Sequence, residues 1–238
     1  MDDKRYSCAH VVSIEQEPRH HLVIENEFVR AFAVEIAPHD RTLCHHHPHD
    51  YLLYVVGDGD IVSAARDEEP KQLSYRDGEC ELSPAGLVHV VENLRDTPFR
   101  NVVVELLPGV GSLRRGDDPK VIAGKASITE HFADERAAIF MIAMDIGSEV
   151  KVHGRIVVAS PYEHEVELED FRGDKVKLSE FNNIAWLWSP LKATLRNIGD
   201  SPAKAVLFRI GRTDERGVPV LKVRDPVRSL RAHADEGE

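Results

Sequence analysis

A chain of 238 residues that is 42% hydrophobic and 30% charged has an ordinary globular composition, and it is long enough to bury one large core or two smaller ones. Its formal net charge of −11 argues against a broad electrostatic grip on nucleic acid or on an anionic membrane. No apolar run approaches the roughly 20 residues that cross a bilayer, and the N-terminal MDDKRYSCAH lacks the apolar core of a secretory signal. We therefore expect a soluble, cytoplasmic protein without nucleic-acid or membrane partners.

The cysteines support the same location. Cys8, Cys44 and Cys80 are odd in number and show no CxxC spacing. That pattern argues against a disulfide framework or a zinc knuckle and favours a reducing compartment. Cys80 is interpreted as a small buried apolar residue.

Strand signals dominate the chain. Short segments rich in β-branched or aromatic residues alternate with turn signals such as GDGD, RDGE, RDTP and GDSP. In chain order these segments are FVRAFAVEIAP (28–38), YLLYVVGDGDIVSAA (51–65), FRNVVVELLPG (99–109), AAIFMIAMDIG (137–147) and AKAVLFRIG (203–211). Helical periodicity is weak, so the pattern predicts an all-β fold of many short strands, either a sandwich or a barrel.

The two halves of the chain resemble each other. Residues 26–45 align with 134–153 without a gap, and 93–106 align with 197–210 at nearly the same offset. We therefore predict a duplicated β domain, with an N-terminal domain over 1–110, a linker over 111–130 and a C-terminal domain over 131–212. The remaining residues, 213–238, are mostly polar, and we expect a loosely packed tail.

The stretch CHHHPHDYLLYVV, residues 44–56, gathers four histidines directly before an apolar strand. A metal site, a pH-sensitive surface tract and an accident of composition are the competing interpretations. Because residues i and i+2 of a strand share a face, His45 and His47 can reach one ion from adjacent pleats. His46 then points to solvent. His49 could be a fourth ligand, but we favour a hydrogen-bonding or exposed role for it.

A second motif, GECELSPAGLVHVVEN, spans residues 78–93. Gly78 ends a turn, and Cys80 and Leu82 are expected to alternate inward along the next strand. Pro84 and Gly86 then turn the chain, so that His89 faces inward at the start of the following strand. This places a third histidine close to the first motif.

These residues resemble the motifs of the cupin superfamily. Its second motif is G, five residues, P-x-G, two residues, H, three residues, N, and the stretch 78–93 matches it at every position through Asn93. Its first motif is G, five residues, H-x-H, three or four residues, E, six residues, G. His45 and His47 supply the H-x-H, whereas His39 stands at the first glycine and Tyr51 stands at the glutamate, or Leu52 with the longer spacing. The resemblance implies two tandem cupin domains, each a double-stranded β-helix or jelly roll.

Spacing and resemblance together predict a metal centre in the first domain. His45, His47 and His89 form a facial set of neutral imidazoles that suits one divalent transition ion, Fe, Zn, Ni, Mn or Cu, and leaves the opposite positions open. Tyr51, at the place of the carboxylate ligand, could bind the metal, hydrogen-bond a substrate, act as a base or simply pack. We take it as the candidate catalytic residue.

The second half has lost this ligand set. His153 remains, but Arg155 stands at the second histidine of the H-x-H pair and Ala193 stands where His89 would be. One histidine cannot hold a divalent ion, so we expect this domain to be metal-free and to cover a sheet edge of the first domain. Trp186 and Trp188 are interpreted as core residues more readily than as the walls of a second pocket.

Three neutral ligands leave the double positive charge of the ion intact, which favours an anionic, bidentate ligand at the open positions. We therefore expect a metal-dependent enzyme that acts on a small anionic organic molecule, with oxygenase-type chemistry favoured by the resemblance to three-histidine cupins. The alternatives are a Zn, Ni or Mn isomerase or lyase, and a non-catalytic metal- or small-molecule-binding protein such as a sensor or stress cupin. The second alternative stays open because the sequence places no obvious general-base carboxylate near the motif. A homodimer is compatible with this architecture.

Overall fold

A computed structural model defines the fold over residues 6, 8–113, 118–211 and 220–222, with the backbone alone at 188–191 and 220–222. Apart from one 3-10 turn at Ile14–Gln16, the regular elements in these ranges are all strands. They are β1 (Val12–Ser13), β2 (His20–Glu25), β3 (Val29–Ile36), β4 (His45–His47), β5 (Tyr51–Val56), β6 (Gly59–Ala65), β7 (Lys71–Tyr75), β8 (Cys80–Ser83), β9 (Leu87–Asn93), β10 (Phe99–Leu106), β11 (Lys120–Ala123), β12 (Ala126–Ala133), β13 (Ala137–Met144), β14 (Glu149–Ala159), β15 (Val166–Glu169), β16 (Lys175–Leu178), β17 (Ile184–Asn197), β18 (Ala203–Ile210) and β19 (Val220–Lys222).

The first lobe is built from two five-stranded sheets, ordered β1-β4-β9-β6-β7 and β2-β3-β10-β5-β8. Alternate side chains of β3, namely Phe32, Val34 and Ile36, point into the space between the two sheets, as the period of two requires. Ile61 and Val91 meet them from the opposite sheet. The result is a jelly roll with an apolar interior.

The second lobe is a nine-stranded sheet with the path β12-β13-β18-β14-β17-β15-β16, to which β11 and β19 add at β14 and β17. It repeats the pairing of the first lobe, because β3 pairs with β10 and the corresponding β13 pairs with β18. The predicted all-β class with two tandem jelly-roll lobes is thereby confirmed. The domain boundaries remain a prediction, and β11 and the start of β12 fall inside the segment that we had expected to be a linker.

Within the described ranges, the structure contains no helix that is long and apolar enough to cross a membrane. Most of the predicted tail, 213–238, lies outside the described residues. Its one described segment is β19, which pairs with β17.

The two lobes share a hydrophobic core. The outer face of the sheet β2-β3-β10-β5-β8 packs on the sheet of the second lobe, so that Ala33, Leu52 and Val104 belong to one cluster with Ile139 and Phe208. The packing is mainly face to face, whereas the sequence predicted that the second lobe would cover a sheet edge. The sheet that carries Tyr51 is therefore buried on both faces.

The degenerate motif of the second lobe serves packing at this interface. Arg155 is buried, and its guanidinium lies over the ring of Phe28 at 3.6 Å from the centroid. Trp186 stacks on the same ring of Phe28 and belongs to the shared core, as predicted for it. Ala193 is buried in the separate core of the second lobe. The side chain of Trp188 lies outside the described residues.

The asparagine of the second motif has a structural role. Asn93 is buried at the end of β9, and its Nδ2 lies 3.1, 3.1 and 2.8 Å from the carbonyl oxygens of Ile36, Ala37 and Thr97. Its Oδ1 accepts a hydrogen bond from the backbone N–H of Arg95 at 3.0 Å. These bonds fix the turn between β9 and β10 onto the end of β3.

The same arrangement recurs in the second lobe. The Nδ2 of Asn197 donates to the carbonyl oxygens of Met144 and Ser201, and its Oδ1 accepts from the N–H of Gly199. A side chain that satisfies buried backbone groups at a turn is retained in both copies, even though the second copy has lost the histidines.

The turn after β3 explains the glycine of the first motif. His39 has a φ of +57°, and Gly147, its counterpart in the repeat, has a φ of +69°. The left-handed conformation costs an ordinary residue about 1 kcal/mol, which is why glycine is favoured there. The ring of His39 is exposed and pairs with Asp96 at 2.8 Å. The turn is thus preserved without the glycine.

The expectation of no disulfide is wrong. Cys8 and Cys44 form a disulfide, with their Cα atoms 5.3 Å apart. The pairing follows from topology, because β1 runs parallel to β4 with Val12 opposite His45. The two cysteines are 36 residues apart in the sequence, so no local pattern predicts that they are neighbours. Cys80 remains a free thiol, partly buried against the core that the lobes share.

We predict that Asn93→Ala lowers the free energy of unfolding by about 3 kcal/mol, because several buried backbone groups lose their partner at once. Urea denaturation followed by circular dichroism measures the change. Gln72→Ala, at an exposed position of β7, is the control and should shift stability by less than about 0.5 kcal/mol. A loss below about 1 kcal/mol for Asn93→Ala would contradict this role.

The thiol count tests the disulfide. Protein purified without reductant and then unfolded should show one thiol to an aromatic disulfide reagent, and three after reduction. In the folded state Cys80 should react slowly at pH 8, because burial, together with the charge of Glu81, raises the pKa of the thiol to about 11. Only about one thiol in a thousand is then ionised. Three thiols in the unreduced, unfolded protein would contradict the bridge.

Candidate metal centre

The short strand β4 positions the first two histidines. His45 and His47 point to the interior and are 0% and 1% exposed, while His46 between them faces the other way and is partly exposed. The Nε2 atoms of His45 and His47 lie 3.1 Å apart. Two nitrogens that each bind one ion at about 2.1 Å, roughly at a right angle, would be separated by about 3 Å.

His89 arrives from the neighbouring strand. β4 and β9 pair antiparallel, with His45 directly opposite His89. The ring of His89 is buried, with its centroid 4.6 Å from that of His45 and 5.3 Å from that of His47. The structure therefore brings the three predicted histidines together, and their role as ligands is taken up below as a proposal.

The sequence analysis missed a fourth histidine, His20. It lies in β2, in the opposite sheet, and it is buried. Its ring centroid is 4.6 Å from that of His45, and the ligand nitrogens of His20, His45 and His47 all lie within 4.8 Å of one another. His20 is part of no motif. In the sequence His20 stands beside His21, and only the structure shows that His20 is the buried one of the two.

Each of the four rings turns its Nδ1 outward, towards a polar atom of the protein. The nearest polar atoms are Glu17 Oε2 at 2.9 Å for His20, the Leu43 carbonyl oxygen at 2.9 Å for His45, and Ser63 Oγ at 3.4 Å for His89. The Nδ1 of His47 lies 3.9 Å from Glu105 Oε1, which is too far for a hydrogen bond. A proton on Nδ1 that is donated outward leaves the Nε2 lone pair free to bind a metal. The facing Nε2 atoms of His45 and His47 are arranged accordingly.

Burial favours the uncharged form of His45, His47 and His89. It lowers the pKa of His45 to about 4, with the charge of His20 as the next cause. Burial, followed by the charges of neighbouring histidines, also holds the pKa values of His47 and His89 well below the ordinary value. Neutral imidazole is the form that binds transition ions. The donor set therefore fits one divalent transition ion.

A buried carboxylate stands behind His47. Glu105 is fully buried in β10, with Oε2 3.1 Å from Arg30 Nε. Burial raises the pKa of Glu105 to about 7, against the opposing effect of the Arg30 charge. Among the described residues, neither Glu105 oxygen nor the Nδ1 of His47 has a well-formed hydrogen bond. An ion on the Nε2 of His47 would favour a proton on Nδ1 and thus a bond to Glu105.

Tyr51 is part of the cavity wall beside the histidine cluster. It is buried in β5, its ring stacks on that of His47 with centroids 4.2 Å apart, and it stands opposite Glu105 in the pairing of β5 with β10. Burial raises the pKa of Tyr51 to about 12, although a hydrogen bond with Ser83 opposes the shift. Tyr51 is therefore a neutral phenol at pH 7. His49 is partly exposed and is not part of the cavity wall.

The histidines open onto a cavity of about 110 Å³ inside the jelly roll. Its wall is mostly apolar, with Ile36, Leu53, Ile61, Leu73, Phe99 and Val103 among the residues that form it. Within the described part of the chain, no lysine or arginine lines this cavity. The charge of an anion inside it would have to be met by a metal.

One edge of the cavity is polar, and the side chains that form it are not the ones predicted from the sequence. Glu81 and Ser83 of β8 line the cavity, and the Ser83 hydroxyl donates to Glu81 Oε1 at 3.2 Å. Cys80 and Leu82, which we had expected to face inward, instead pack against the core between the lobes. Because both faces of this sheet are covered, the alternation along β8 does not tell which side faces the cavity.

Comparison with known proteins gives a likeness of fold only. No protein-family model matches the sequence, and no curated protein matches it. AerE from Microcystis aeruginosa matches with a TM-score of 0.61 and 16% identity, over 82% of this chain and 94% of that chain. A salicylate 1,2-dioxygenase from Pseudaminobacter salicylatoxidans matches with a TM-score of 0.52 and 14% identity, over 79% and 75%. An oxalate decarboxylase matches with a TM-score of 0.55 and 12% identity, over 89% and 77%.

The chain therefore has the cupin fold, as the two motifs predicted. Identities this low show the architecture and leave the chemistry to the site itself.

We predict that His47→Ala lowers the affinity for Co(II) or Zn(II) at least 100-fold. Removal of the group that hydrogen-bonds a ligand histidine already costs about 10–100-fold, and loss of the ligand itself should cost more. Competition with a chromophoric chelator measures the affinity. His46→Ala, one residue away and facing the other side of β4, should bind within about twofold of the parent protein. Equal loss in both variants would mean that the metal sits on the surface.

Proposed function

We propose that this protein is a metal-dependent enzyme that acts on a small anionic organic molecule, with oxygenase-type chemistry favoured. The observation that carries the proposal is a buried cluster of neutral histidines that opens onto an apolar cavity of about 110 Å³. His45, His47 and His89 would hold one divalent transition ion, Fe, Zn, Ni or Mn. When bound, the ion supplies Lewis-acid polarisation of a substrate oxygen and, if it is iron, a site for O₂.

The cavity defines what could bind there. An apolar cavity of 150 Å³ accommodates benzene, so a cavity of about 110 Å³ suits a molecule of about six heavy atoms or fewer. Since the described wall contains no basic side chain, it supplies no partner for a second anionic group. The substrate would carry one anionic head directed at the histidines and a compact apolar body against residues such as Leu53 and Val103.

Tyr51 and Glu81 supply the proton chemistry. With its pKa raised to about 12, Tyr51 stays protonated and acts as a hydrogen-bond or proton donor to a substrate beside His47. Glu81 lies at the mouth of the cavity and, through its bond with Ser83, is connected to Tyr51. Glu81 would then be the general base, a carboxylate that the motifs do not predict.

The structural neighbours agree with the proposed substrate only in the anionic head. Two of them are named for enzymes of carboxylate anions, a salicylate 1,2-dioxygenase and an oxalate decarboxylase. An isomerase or lyase that uses Zn, Ni or Mn is the second candidate. The position of Glu81 favours it, because a base at the cavity mouth can remove a proton from a bound substrate without O₂.

Two further expectations stay predictions. A cytoplasmic location is harder to reconcile with the Cys8–Cys44 disulfide, since such bridges are rare in reducing compartments. A homodimer is compatible with the fold.

The test uses metal-free protein reloaded under nitrogen with Fe(II), Mn(II), Ni(II) or Zn(II). Each form is offered small monoanions, with pyruvate as the first probe and oxalate as the dianionic comparison. O₂ uptake and substrate loss by NMR are recorded. We expect turnover of a monoanion in at least one form, and O₂ uptake only with a redox-active ion. Tyr51→Phe should lower kcat about 10–100-fold with little change in KM.

Turnover without O₂ uptake would favour the isomerase or lyase. Tight binding of the monoanions without turnover, in every metal form, would contradict the enzymatic proposal and favour a binding protein.

A further inference from the structure

Glu17, just before β2, and His20, within β2, lie at the histidine cluster but belong to neither cupin motif. From their geometry we propose that His20 is a fourth protein ligand of the metal and that Glu17 is the residue that positions it. The inference rests on the metal centre proposed above and extends it. The cupin motifs predict a glutamate ligand at the position that Tyr51 occupies, and they predict no ligand at position 20.

The position of His20 carries the first step. Its ligand nitrogen lies within 4.8 Å of those of His45 and His47, and it reaches them from the opposite sheet. The ring is held between neighbours, edge-on to Phe32 with centroids 6.3 Å apart and tilted against His45 at 4.6 Å. A ring so confined is ready to bind without further ordering.

The orientation of the ring carries the second step. The Nδ1–H of His20 donates to Glu17 Oε2 at 2.9 Å. The remaining lone pair, on Nε2, is then directed away from Glu17. Histidine ligands in metal sites almost always donate their other N–H to a carboxylate, a carbonyl oxygen or water, which fixes the tautomer and raises the basicity of the ligand. The Glu17–His20 pair has this arrangement.

Glu17 is itself firmly held. Its side chain is completely buried, and it accepts hydrogen bonds from the backbone N–H and the guanidinium of Arg19, at 2.7 and 3.1 Å. Its other contact is the N–H of Leu43 at 3.2 Å, and the carbonyl oxygen of Leu43 accepts the Nδ1–H of His45. The carboxylate of Glu17 therefore orients His20 by a direct hydrogen bond, and it orients His45 indirectly through the backbone of Leu43.

The charge of the site supports the same assignment. A tyrosine and not a carboxylate stands at position 51, so the imidazoles alone would leave the ion with its full double charge inside an apolar interior. Glu17 brings a negative charge to the far side of the His20 ring. It would offset part of the charge of the ion without itself lining the cavity.

The experiment measures metal affinity and the number of coordinating nitrogens in the full-length chain, and neither depends on turnover. Affinity for Co(II) is measured by chelator competition for His20→Ala, His20→Gln, Glu17→Gln and the control His21→Ala. His21 precedes Leu22 in the same strand and is exposed. The nitrogen count is read from the hyperfine pattern of the Cu(II)-loaded protein.

We expect His20→Ala and His20→Gln to bind Co(II) at least 100-fold more weakly and to lose one coordinating nitrogen. Glu17→Gln should keep the nitrogen count and weaken binding about 10–100-fold, the usual effect of removing the partner of a ligand histidine. His21→Ala should match the parent protein. A merely structural role of His20 would change stability without changing the nitrogen count.

His20→Gln retains a donor towards Glu17, so it separates the ligand role from a folding defect in His20→Ala. Parent-like affinity and nitrogen count in His20→Gln would overturn the inference while leaving the remaining ligands in place. By contrast, if His45→Ala and His47→Ala also bound Co(II) like the parent protein, the metal centre itself, and with it the proposed function, would fail.

Discussion

The site depends on one constraint: the Nε2 atoms of two buried imidazoles face each other inside the first lobe. The Nε2 atoms of His45 and His47 are 3.1 Å apart, and His45 already donates its Nδ1–H to the carbonyl oxygen of Leu43. Two lone pairs at that distance repel each other unless a proton or a cation lies between them. A proton in that position belongs to the Nε2–H tautomer of neutral His47, which leaves its Nδ1 beside Glu105 unprotonated, whereas an ion on Nε2 would return that proton to Nδ1. A divalent transition ion satisfies both nitrogens at once.

The fold provides this arrangement by placing the histidines on three strands from two facing sheets. β4 carries two of them, β9 pairs with it and carries His89, and β2 brings His20 across the interior. The Cys8–Cys44 bridge joins the N-terminal segment to the residue directly before His45. The second lobe covers the outer face of the sheet that carries Tyr51 and Glu105. Its former ligand positions now serve that packing, with Arg155 placed over Phe28.

Local patterns were enough for part of this architecture. The H-x-H spacing placed His45 and His47 on one face, and the second motif placed His89 opposite them, because alternation and turn chemistry act over a few residues. The repeat predicted equivalent strands, and the structure shows β3 with β10 and β13 with β18 in matching pairs. Asn93 and Asn197 carry the same turn bonds in both lobes.

What the sequence could not show depends on contacts between distant strands. His20, Glu105 and Glu81 reach the site from the second sheet, and no local spacing links them to the H-x-H motif. The Cys8–Cys44 bridge follows from the parallel pairing of β1 with β4. Cys80 was expected to face inward, yet both faces of its sheet are buried, so a hydrophobic pattern does not distinguish the cavity from the core between the lobes.

The most direct test of the account is X-ray absorption at the metal edge of protein purified without an affinity tag, together with elemental analysis of the same sample. The account predicts one transition ion per chain, surrounded by at least three nitrogen ligands at about 2.0–2.2 Å with the multiple-scattering signature of imidazole. A sample with no stoichiometric transition ion, or an ion held only by oxygen or sulfur, would contradict it.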